Sequence, residues 1–458
     1  MKVIVCGAGQ VGWQIARHLS GEANEITIVD NNPMLVRRAT DALDVMGVTG
    51  FASHPHVLEA AGAEDADMLI AATYSDEVNM VTCQVAHSVF GVTRKIARLR
   101  EQTYLEPQYG GLFRRDHMPI DVVISPEREV SKAALKRISY PATFDVEEFM
   151  EGRAQLVGIA LEADCPVLKT PLRQLTELFS TLRAIVVGVR RGKRLFAPEP
   201  LDQLFEGDKI YVLTEASDTE RALQIFGKPT PQLRRVVVIG GGNVGLAVAQ
   251  TLESRADRVR VRMIERDRAR AERAADTLER TIVLHGDGMD IDLLTEAEVA
   301  RADAVVVLTQ DDKTNMLVPV RTRSLGCPLA ISLINDPSLI PLSGPLQIDA
   351  HINPRAVTVS SILRHVRHGR VRSVYSIGDG EAEVIEAQVL STSPLAGSAI
   401  RDVDFPEGAL MGGVLRKGVY IRPSGSTRLE VGDIVVIFAL SGDVAAVEHL
   451  LQVAVEYF

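Results

Sequence analysis

The chain has 458 residues but only four cysteines, Cys6, Cys83, Cys165 and Cys327, and none forms a C-x-x-C pair. That scatter excludes a disulfide framework and a cysteine-built zinc site, and it reads as buried thiols in a reducing compartment. Aromatic residues make up 5%, too few for the stacking platforms that hold single-stranded nucleic acid. A surplus of positive charge is also missing. With 50 Lys and Arg against 60 Asp and Glu, the formal net charge is -10, which argues against a general affinity for DNA, RNA or anionic lipid. The arginines from Arg255 to Arg280 are diluted by Asp257, Glu265, Asp267, Glu272, Asp276 and Glu279, and read as a solvated helical face. No apolar run approaches the roughly 18 residues that span a bilayer. Gly7, Gln10, Gln14 and Arg17 interrupt the apolar start before it reaches signal-peptide length, so the expected location is the cytoplasm.

What is present is present twice. Val3-Ile4-Val5-Cys6-Gly7-Ala8-Gly9-Gln10-Val11-Gly12 reappears as Val236-Val237-Val238-Ile239-Gly240-Gly241-Gly242-Asn243-Val244-Gly245. Each copy is an apolar run followed by G-x-G-x-x-G, the pattern of a strand that turns through glycines into a helix cradling a dinucleotide pyrophosphate. The register continues: Gly50, Asp67, Thr73, Asp76 and Asn79 recur as Gly286, Asp303, Thr309, Asp312 and Asn315, at a spacing of 236 residues (286 minus 50). The segments in between are copies as well. Gly188, Pro198 and Gly207-Asp208 match Gly413, Pro423 and Gly432-Asp433 at an offset of 225 (413 minus 188). The plan is A-B-A-B, with 46% hydrophobic and 24% charged residues, as in ordinary globular domains.

In both larger units short β-rich runs alternate with helical stretches, which predicts parallel sheets covered on both faces. The fold class is α/β: two Rossmann-like parallel-sheet domains, each followed by a small α+β domain. The expected boundaries are residues 1–124, a linking helix at 125–142, a small domain at 143–228, a second Rossmann-like domain at 233–352, a linking helix at 353–369 and a small domain at 370–455. Both linking helices start on proline, in Ser125-Pro126 and Asn353-Pro354. Their apolar faces, Val130, Ala134 and Ile138 in one and Val359, Ile362, Leu363 and Val366 in the other, pack against the chain's own core or against a neighbouring subunit.

An acid closes the second strand of each larger unit, Asp30 and Glu265, about 20 residues beyond the glycines. A carboxylate there accepts hydrogen bonds from an adenosine ribose diol and repels a 2′-phosphate, which favours NAD or ATP over NADP. Arg266 and Arg268 leave slight room for a phosphorylated ribose in the second pocket. The candidate nucleotide contacts are Gly7, Ala8, Gly9, Gln10, Val11, Gly12, Asp30 and Thr73 in the first unit, and Gly240, Gly241, Gly242, Asn243, Val244, Gly245, Glu265 and Thr309 in the second. The pockets differ chemically, because Arg98 and Arg100 of the first align with Leu333 and Asn335 of the second. An arginine at the carboxyl end of a sheet strand can pair with phosphate; the alternative is a surface ion pair with Glu101 or Glu106. Other features carry less. His54 and His56 lack the partners of a metal site and read as a loop. His365 and His368 are surrounded by Arg364, Arg367 and Arg370, and Asp311-Asp312 either touches ribose or Mg²⁺ or caps the following helix.

Taken together, GAGQVG with Asp30, Ser53-His54-Pro55, Ser75-Asp76-Glu77, Asn79-Met80, Ile96-Ala97-Arg98, GGGNVG with Glu265, and Gly286-Asp287 closely resemble the TrkA family. Its members are regulatory subunits of bacterial Trk potassium uptake systems, built from tandem RCK domains. The resemblance covers nearly the whole chain and implies a non-catalytic role: binding NAD(H) and ATP/ADP in the cytoplasm and controlling a potassium-translocating membrane subunit of the TrkH or TrkG type. It also implies a homo-oligomer, dimer or tetrameric ring, held at the inner face of the membrane through that partner. The rival classes are an NAD-dependent oxidoreductase and a nucleotide-sensing transcriptional regulator. The first needs an acid/base beside the nicotinamide that the small units do not offer, and the second a basic recognition helix.

Overall fold

The computed structural model describes residues 1–20, 24–228, 230, 233–255, 259–366, 371–378 and 380–451. Asp257, Arg367, His368 and Arg370, and the junction at 369 and 370, lie outside the described residues. The chain forms two compact units.

The first unit, Met1–Leu135 with Leu233–Val366, contains both parallel sheets. In the first copy β1 (Lys2–Cys6), α1 (Gln10–Ser20), β2 (Glu25–Asp30), α2 (Pro33–Ala42), β3 (Met46–Thr49), α3 (Pro55–Ala60), β4 (Met68–Ala71), α4 (Asp76–Ser88), β5 (Arg94–Arg98), β6 (Val122–Ile124) and the linking helix α5 (Pro126–Ser139) follow in turn. The six strands order as β3-β2-β1-β4-β5-β6, and the chain reverses its winding between β1 and β4, where open α/β sheets bind their ligands. Val3, Ile4, Val5 and Cys6 are all buried, as a central parallel strand covered on both faces requires. The edge strand β3 is mostly exposed and was not among the strands expected from hydrophobic pattern.

Between the two halves of this unit the chain makes β7 (Thr143–Phe149), β8 (Ala154–Ala160), α6 (Leu172–Leu178), β9 (Ala184–Arg191), β10 (Arg194–Phe196), β11 (Lys209–Glu215) and α7 (Thr219–Ile225). The second copy then repeats the first as β12 (Arg235–Ile239), α8 (Asn243–Ser254), β13 (Arg260–Glu265), α9 (Arg268–Thr277), β14 (Ile282–His285), α10 (Ile291–Glu296), β15 (Ala304–Val307), α11 (Asp312–Ser324), β16 (Ala330–Leu333), β17 (Ala350–Ile352) and the linking helix α12 (Pro354–Leu363). Its order, β14-β13-β12-β15-β16-β17, is that of the first sheet. The arginines between Arg255 and Arg280 do not form the single helical face expected of them. Arg268, Arg270 and Arg273 ride on α9, but Arg260 and Arg262 belong to β13 and Arg280 stands just before β14.

The linking helices begin as their sequences require. Asn353 accepts a hydrogen bond from the Ala356 amide at 2.9 Å ahead of Pro354, and Ser125 precedes Pro126. The apolar face of α12 packs on the chain's own core, though not that of its own copy. Val359, Ile362 and Val366 join Ile15, Leu19, Ile28 and Ile70 beneath the first sheet, with α12 against α1. Where α5 passes α12, Glu129 accepts a hydrogen bond from Ser361 at 2.9 Å and pairs with Arg364 at 3.0 Å.

The second unit, Lys136–Gln232 with Arg367–Phe458, holds the two small domains. The chain's last elements are β18 (Val371–Ile377), β19 (Ala382–Gln388), β20 (Ala409–Arg416), β21 (Val419–Ile421), β22 (Ile434–Leu440) and α13 (Val444–Leu451). Each small domain is a five-stranded antiparallel sheet, β10-β9-β11-β8-β7 and β18-β19-β22-β20-β21. The two share one core in which Phe149, Leu156 and Leu213 meet Val384, Val436 and Phe438. Close approach depends on missing side chains: a Cβ on Gly188 would stand 2.8 Å from the Phe438 ring, and one on Gly412 2.7 Å from Leu213. In the same unit the Tyr375 hydroxyl donates to the Asp145 carboxylate.

Candidate functional site

The glycines divide into three jobs, identically in both copies. Gly7 and Gly240 adopt left-handed φ of 107° and 106°, and a Cβ on either would stand 2.9 Å from the carbonyl oxygen of Ala72 or Leu308 on the neighbouring strand. Gly12 and Gly245 let helix and turn touch, since a Cβ there would fall 1.7 and 1.9 Å from the carbonyl oxygens of Gly7 and Gly240. At Gly9 and Gly242 a Cβ would meet nothing within 4 Å. Neither packing nor, at Gly242, a φ of -68° calls for glycine, so what remains is room for a ligand to approach the backbone. Gln10 and Asn243 open α1 and α8, whose free amides favour an anion. Val11 is buried and Val244 half-buried, anchoring those first turns.

Both acids reach the turn. Asp30 accepts from the amides of Ala8 at 2.7 Å and Asn32 at 2.8 Å. Glu265 accepts from those of Gly241 at 2.6 Å and Asp267 at 2.7 Å, and lies 3.4 Å from Arg270. Both Asp30 oxygens and Oε2 of Glu265 keep a lone pair for a ribose hydroxyl, whereas Oε1 of the more deeply buried Glu265 faces both the Asp267 amide and Arg270. Close packing also explains the glycine facing Glu265. A Cβ on Gly241 would be squeezed at 3.0 to 3.2 Å by Glu265 and Met263, where the first copy accommodates Ala8 against the shorter Asp30. Of the arginines considered for a phosphorylated ribose, Arg268 pairs with Glu272 at 2.9 Å; it is Arg270 that reaches the acid.

Thr73 and Thr309 sit at the ends of β4 and β15, and their hydroxyls donate to the side chains of Asn79 and Asn315, each at 2.6 Å. These asparagines are fully buried. Asn79 also takes the Thr73 amide at 2.9 Å and donates to the Arg98 carbonyl at 2.8 Å, binding β4, α4 and β5 together at the crevice floor. Sequence reading noted the repeated asparagines without assigning them a role. Asp76 likewise accepts from the amides of Arg100 and Glu101, each at 2.8 Å, and Asp312 from those of Asn335 and Asp336, each at 2.9 Å. Asp311 caps α11, accepting from the Thr314 amide at 3.0 Å. The capping reading holds for Asp311, whereas Asp312 is the first residue of α11 and ties it to the chain beyond β16. His54 is the residue before α3, with Pro55 in its first turn, so the expected loop at His54 and His56 is a helix start. Among the described residues no group of three His, Cys, Asp or Glu is arranged to hold a metal ion. All four cysteines are buried, and burial pushes the Cys83 thiol up to about 12.

The crevices part company at Arg98. Burial, and then Arg100, lower its pKa against the opposing pull of Glu127, Asp76 and Tyr74, and its Nε is buried without an acceptor. Arg100 lies over the Tyr74 ring at 5.2 Å and 3.7 Å from Glu127, not paired with Glu101 or Glu106. Glu127, in the first turn of α5, was not singled out in the sequence; burial raises its pKa and leaves its Oε2 unpartnered. The corresponding strand end of the second copy has the buried Leu333 and an Asn335 tied to Asp312 at 3.0 Å. The first crevice thus keeps a desolvated cation with unused hydrogen-bonding capacity where the second has an apolar side chain.

The TrkA-N domain family matches residues 3–126 and 236–354, and the TrkA-C domain family matches residues 156–227 and 384–452. The chain is 47% identical over 458 residues to the Trk system potassium uptake protein TrkA of Azorhizobium caulinodans, covering 100% of both chains. It is 35% identical over 462 residues to the protein of that name from Halomonas elongata, again covering 100% of both. Among solved structures it resembles the GsuK RCK domain at a TM-score of 0.58 and 18% identity, covering 98% of this chain and 94% of that one. It resembles the GsuK channel bound to NAD at 0.60 and 18%, covering 98% and 78%. At these identities the structures speak for the fold, that of tandem RCK domains.

Proposed function

Because this chain belongs to the TrkA family, we propose that it is the nucleotide-sensing regulatory subunit of a Trk-type potassium uptake system. Its relatives of 47% and 35% identity carry that system's name along their full length. The observation that carries the sensing role is the inequality of two crevices built on one glycine frame. Both offer helix amides and an acid suited to NAD(H), and at the end of the fifth strand the first has the half-buried Arg98, whose Nε is buried without an acceptor, where the second has the buried Leu333. ATP and ADP therefore prefer the first crevice, where Arg98 meets the terminal phosphates. The chain does not transfer hydride. It acts at the inner face of the membrane, as a homo-oligomer, on a potassium-translocating subunit of the TrkH or TrkG type. Among the described residues no helix is long and apolar enough to cross a membrane, so the membrane partner supplies the attachment.

The test is potassium flux in vesicles holding the transporter, with the chain added from outside. Flux should respond to ATP and to NADH differently. Arg98→Ala should weaken ATP by about 10- to 100-fold, the loss of one charge-assisted bond of about 1.5 to 3 kcal/mol, and leave the NADH response in place. Flux indifferent to both nucleotides refutes the regulatory role, and turnover of NADH with a hydroxy acid or alcohol that disappears in Gly7 or Gly240 variants reverses the assignment to an enzyme.

A further inference from the structure

The amino ends of the strands in the second parallel sheet, opposite its glycine turn, border a cavity of about 440 Å³. Arg235 opens β12, Arg260 opens β13, Arg262 follows two residues on, and Arg280 comes just before β14; all four line the cavity. Among the described residues, Glu298 is the one acid that lines it. Buried Val237, Val259, Ala297 and Ala302 give it an apolar wall.

The first copy shows that the fold itself does not demand this chemistry. Strand register places Lys2, Glu25 and Thr27 where the second copy has Arg235, Arg260 and Arg262. The hollow at that edge is bordered by Lys2, Glu25, Asp65 and Asp67. One copy of a repeated sheet has an acid-rich amino edge; the other has exchanged it for arginines.

Arg262 is held in place. Arg262 pairs with Glu298 at 3.0 Å and also donates to the Glu296 carbonyl. Glu298 itself has a left-handed φ of 55°, at the position where the first copy has Gly62 with φ 80°. A residue with a Cβ is strained in that conformation, and here the strain keeps a carboxylate beside Arg262. Among the described residues, Arg260 and Arg280 have no acid within ion-pair distance. Among the described residues, three positive charges in excess around an apolar wall, in an otherwise acidic chain, are satisfied by an anion that also carries an apolar body. The volume falls in the range of small-molecule sites, about 300 to 1,000 Å³.

We propose that this cavity is an anion site separate from both crevices, taking a small organic phosphomonoester whose phosphate is gripped by Arg260, Arg262 and Arg280 and whose body lies on the valine and alanine wall. Guanidinium groups bind phosphate oxygens in pairs, and the sheet separates this site from the nucleotide end. The test uses the full chain with both crevices saturated by NADH, titrated calorimetrically with phenyl phosphate. Binding should be one per chain, with inorganic phosphate about tenfold weaker. Arg260→Glu with Arg280→Asp, both exposed positions given acids, should weaken phenyl phosphate about tenfold or more while NADH affinity and thermal stability stay as in the parent. Absence of phenyl phosphate binding, or binding that the double variant leaves unchanged, overturns the proposal. So does arginine-dependent sedimentation with phosphatidylglycerol vesicles in place of phenyl phosphate binding, which would give these arginines to a membrane surface.

Discussion

Gly9 and Gly242 separate the ligand's requirements from those of the fold. In Gly9→Ala/Gly242→Ala, each new methyl meets nothing within 4 Å and neither backbone is left-handed. Folding should therefore be unaffected, or favoured by about 0.4 to 1 kcal/mol per site through the stiffer unfolded chain. The nucleotide meets a different surface. A methyl beside the helix-opening amides holds the pyrophosphate off, and losing a charge-assisted bond costs about 1.5 to 3 kcal/mol, at least tenfold in affinity. Thermal unfolding with and without NADH reads both effects. At a concentration 100 times its Kd, NADH stabilises the parent by about 2.7 kcal/mol per occupied crevice; a tenfold weaker variant at the same concentration gains about 1.4 kcal/mol per crevice. Gly12→Ala/Gly245→Ala is the counterpart, because a Cβ placed 1.7 and 1.9 Å from carbonyl oxygens must push the helix away and lowers stability before any ligand is added. If Gly9→Ala/Gly242→Ala binds NADH like the parent, or unfolds as early as Gly12→Ala/Gly245→Ala without ligand, the division of roles among the glycines is wrong.

Two further predictions concern buried charge. Lys95 is 1% exposed, with Asp121 at 2.9 Å and the Val92 carbonyl at 3.0 Å; Asp121→Asn should cost about 3 kcal/mol in urea unfolding and Lys95→Met added to it should recover most of that, whereas a loss under about 0.5 kcal/mol would make the pair a surface ornament. Burial raises the pKa of Asp145 against the opposing hydrogen bond from Tyr375 and the charge of Arg137, while Glu147 adds to the rise. The folded chain then binds that proton more tightly than the unfolded one, so its stabilising effect is present at low pH and lost as pH climbs from about 4 through the raised value. Relative to Asp145→Asn, the parent should lose stability over that interval, and a difference that stays flat with pH contradicts the reasoning.

The repeated glycines, the closing acids and the buried runs such as Val3 to Cys6 were legible in the sequence because burial on both faces and left-handed turns leave strong residue signatures. The exposed strand Met46–Thr49 left none, since Met46-Gly47-Val48-Thr49 neither alternates nor runs apolar. Around the crevice, the arginine at the end of β5 was found by comparing the two copies. The hydrogen bonds of Asn79 and Asp76 depend on strand ends that adjoin only after folding, and no spacing along the chain reports them. Glu127 escaped notice for the same reason: it reaches Arg100 from the start of the linking helix. The arginines of the amino edge were visible as residues and misplaced as structure, because a charge run does not reveal that its members alternate between strand, helix and turn.

The seat of α12 on α1 bears on how the chain is made. The core beneath the first sheet takes Val359, Ile362 and Val366 from the far end of the second copy. A ribosome adding roughly 5 to 20 residues per second finishes the first linking helix at Ser139 some 10 to 45 s before it reaches Val359. For that interval the face of α1 that carries Ile15 and Leu19 lacks its α12 cover, and the nascent chain presents an apolar stripe to whatever is nearby. The first parallel-sheet domain is thus synthesised ahead of the second yet completed after it, its final piece delivered after the first small domain and the second sheet have emerged.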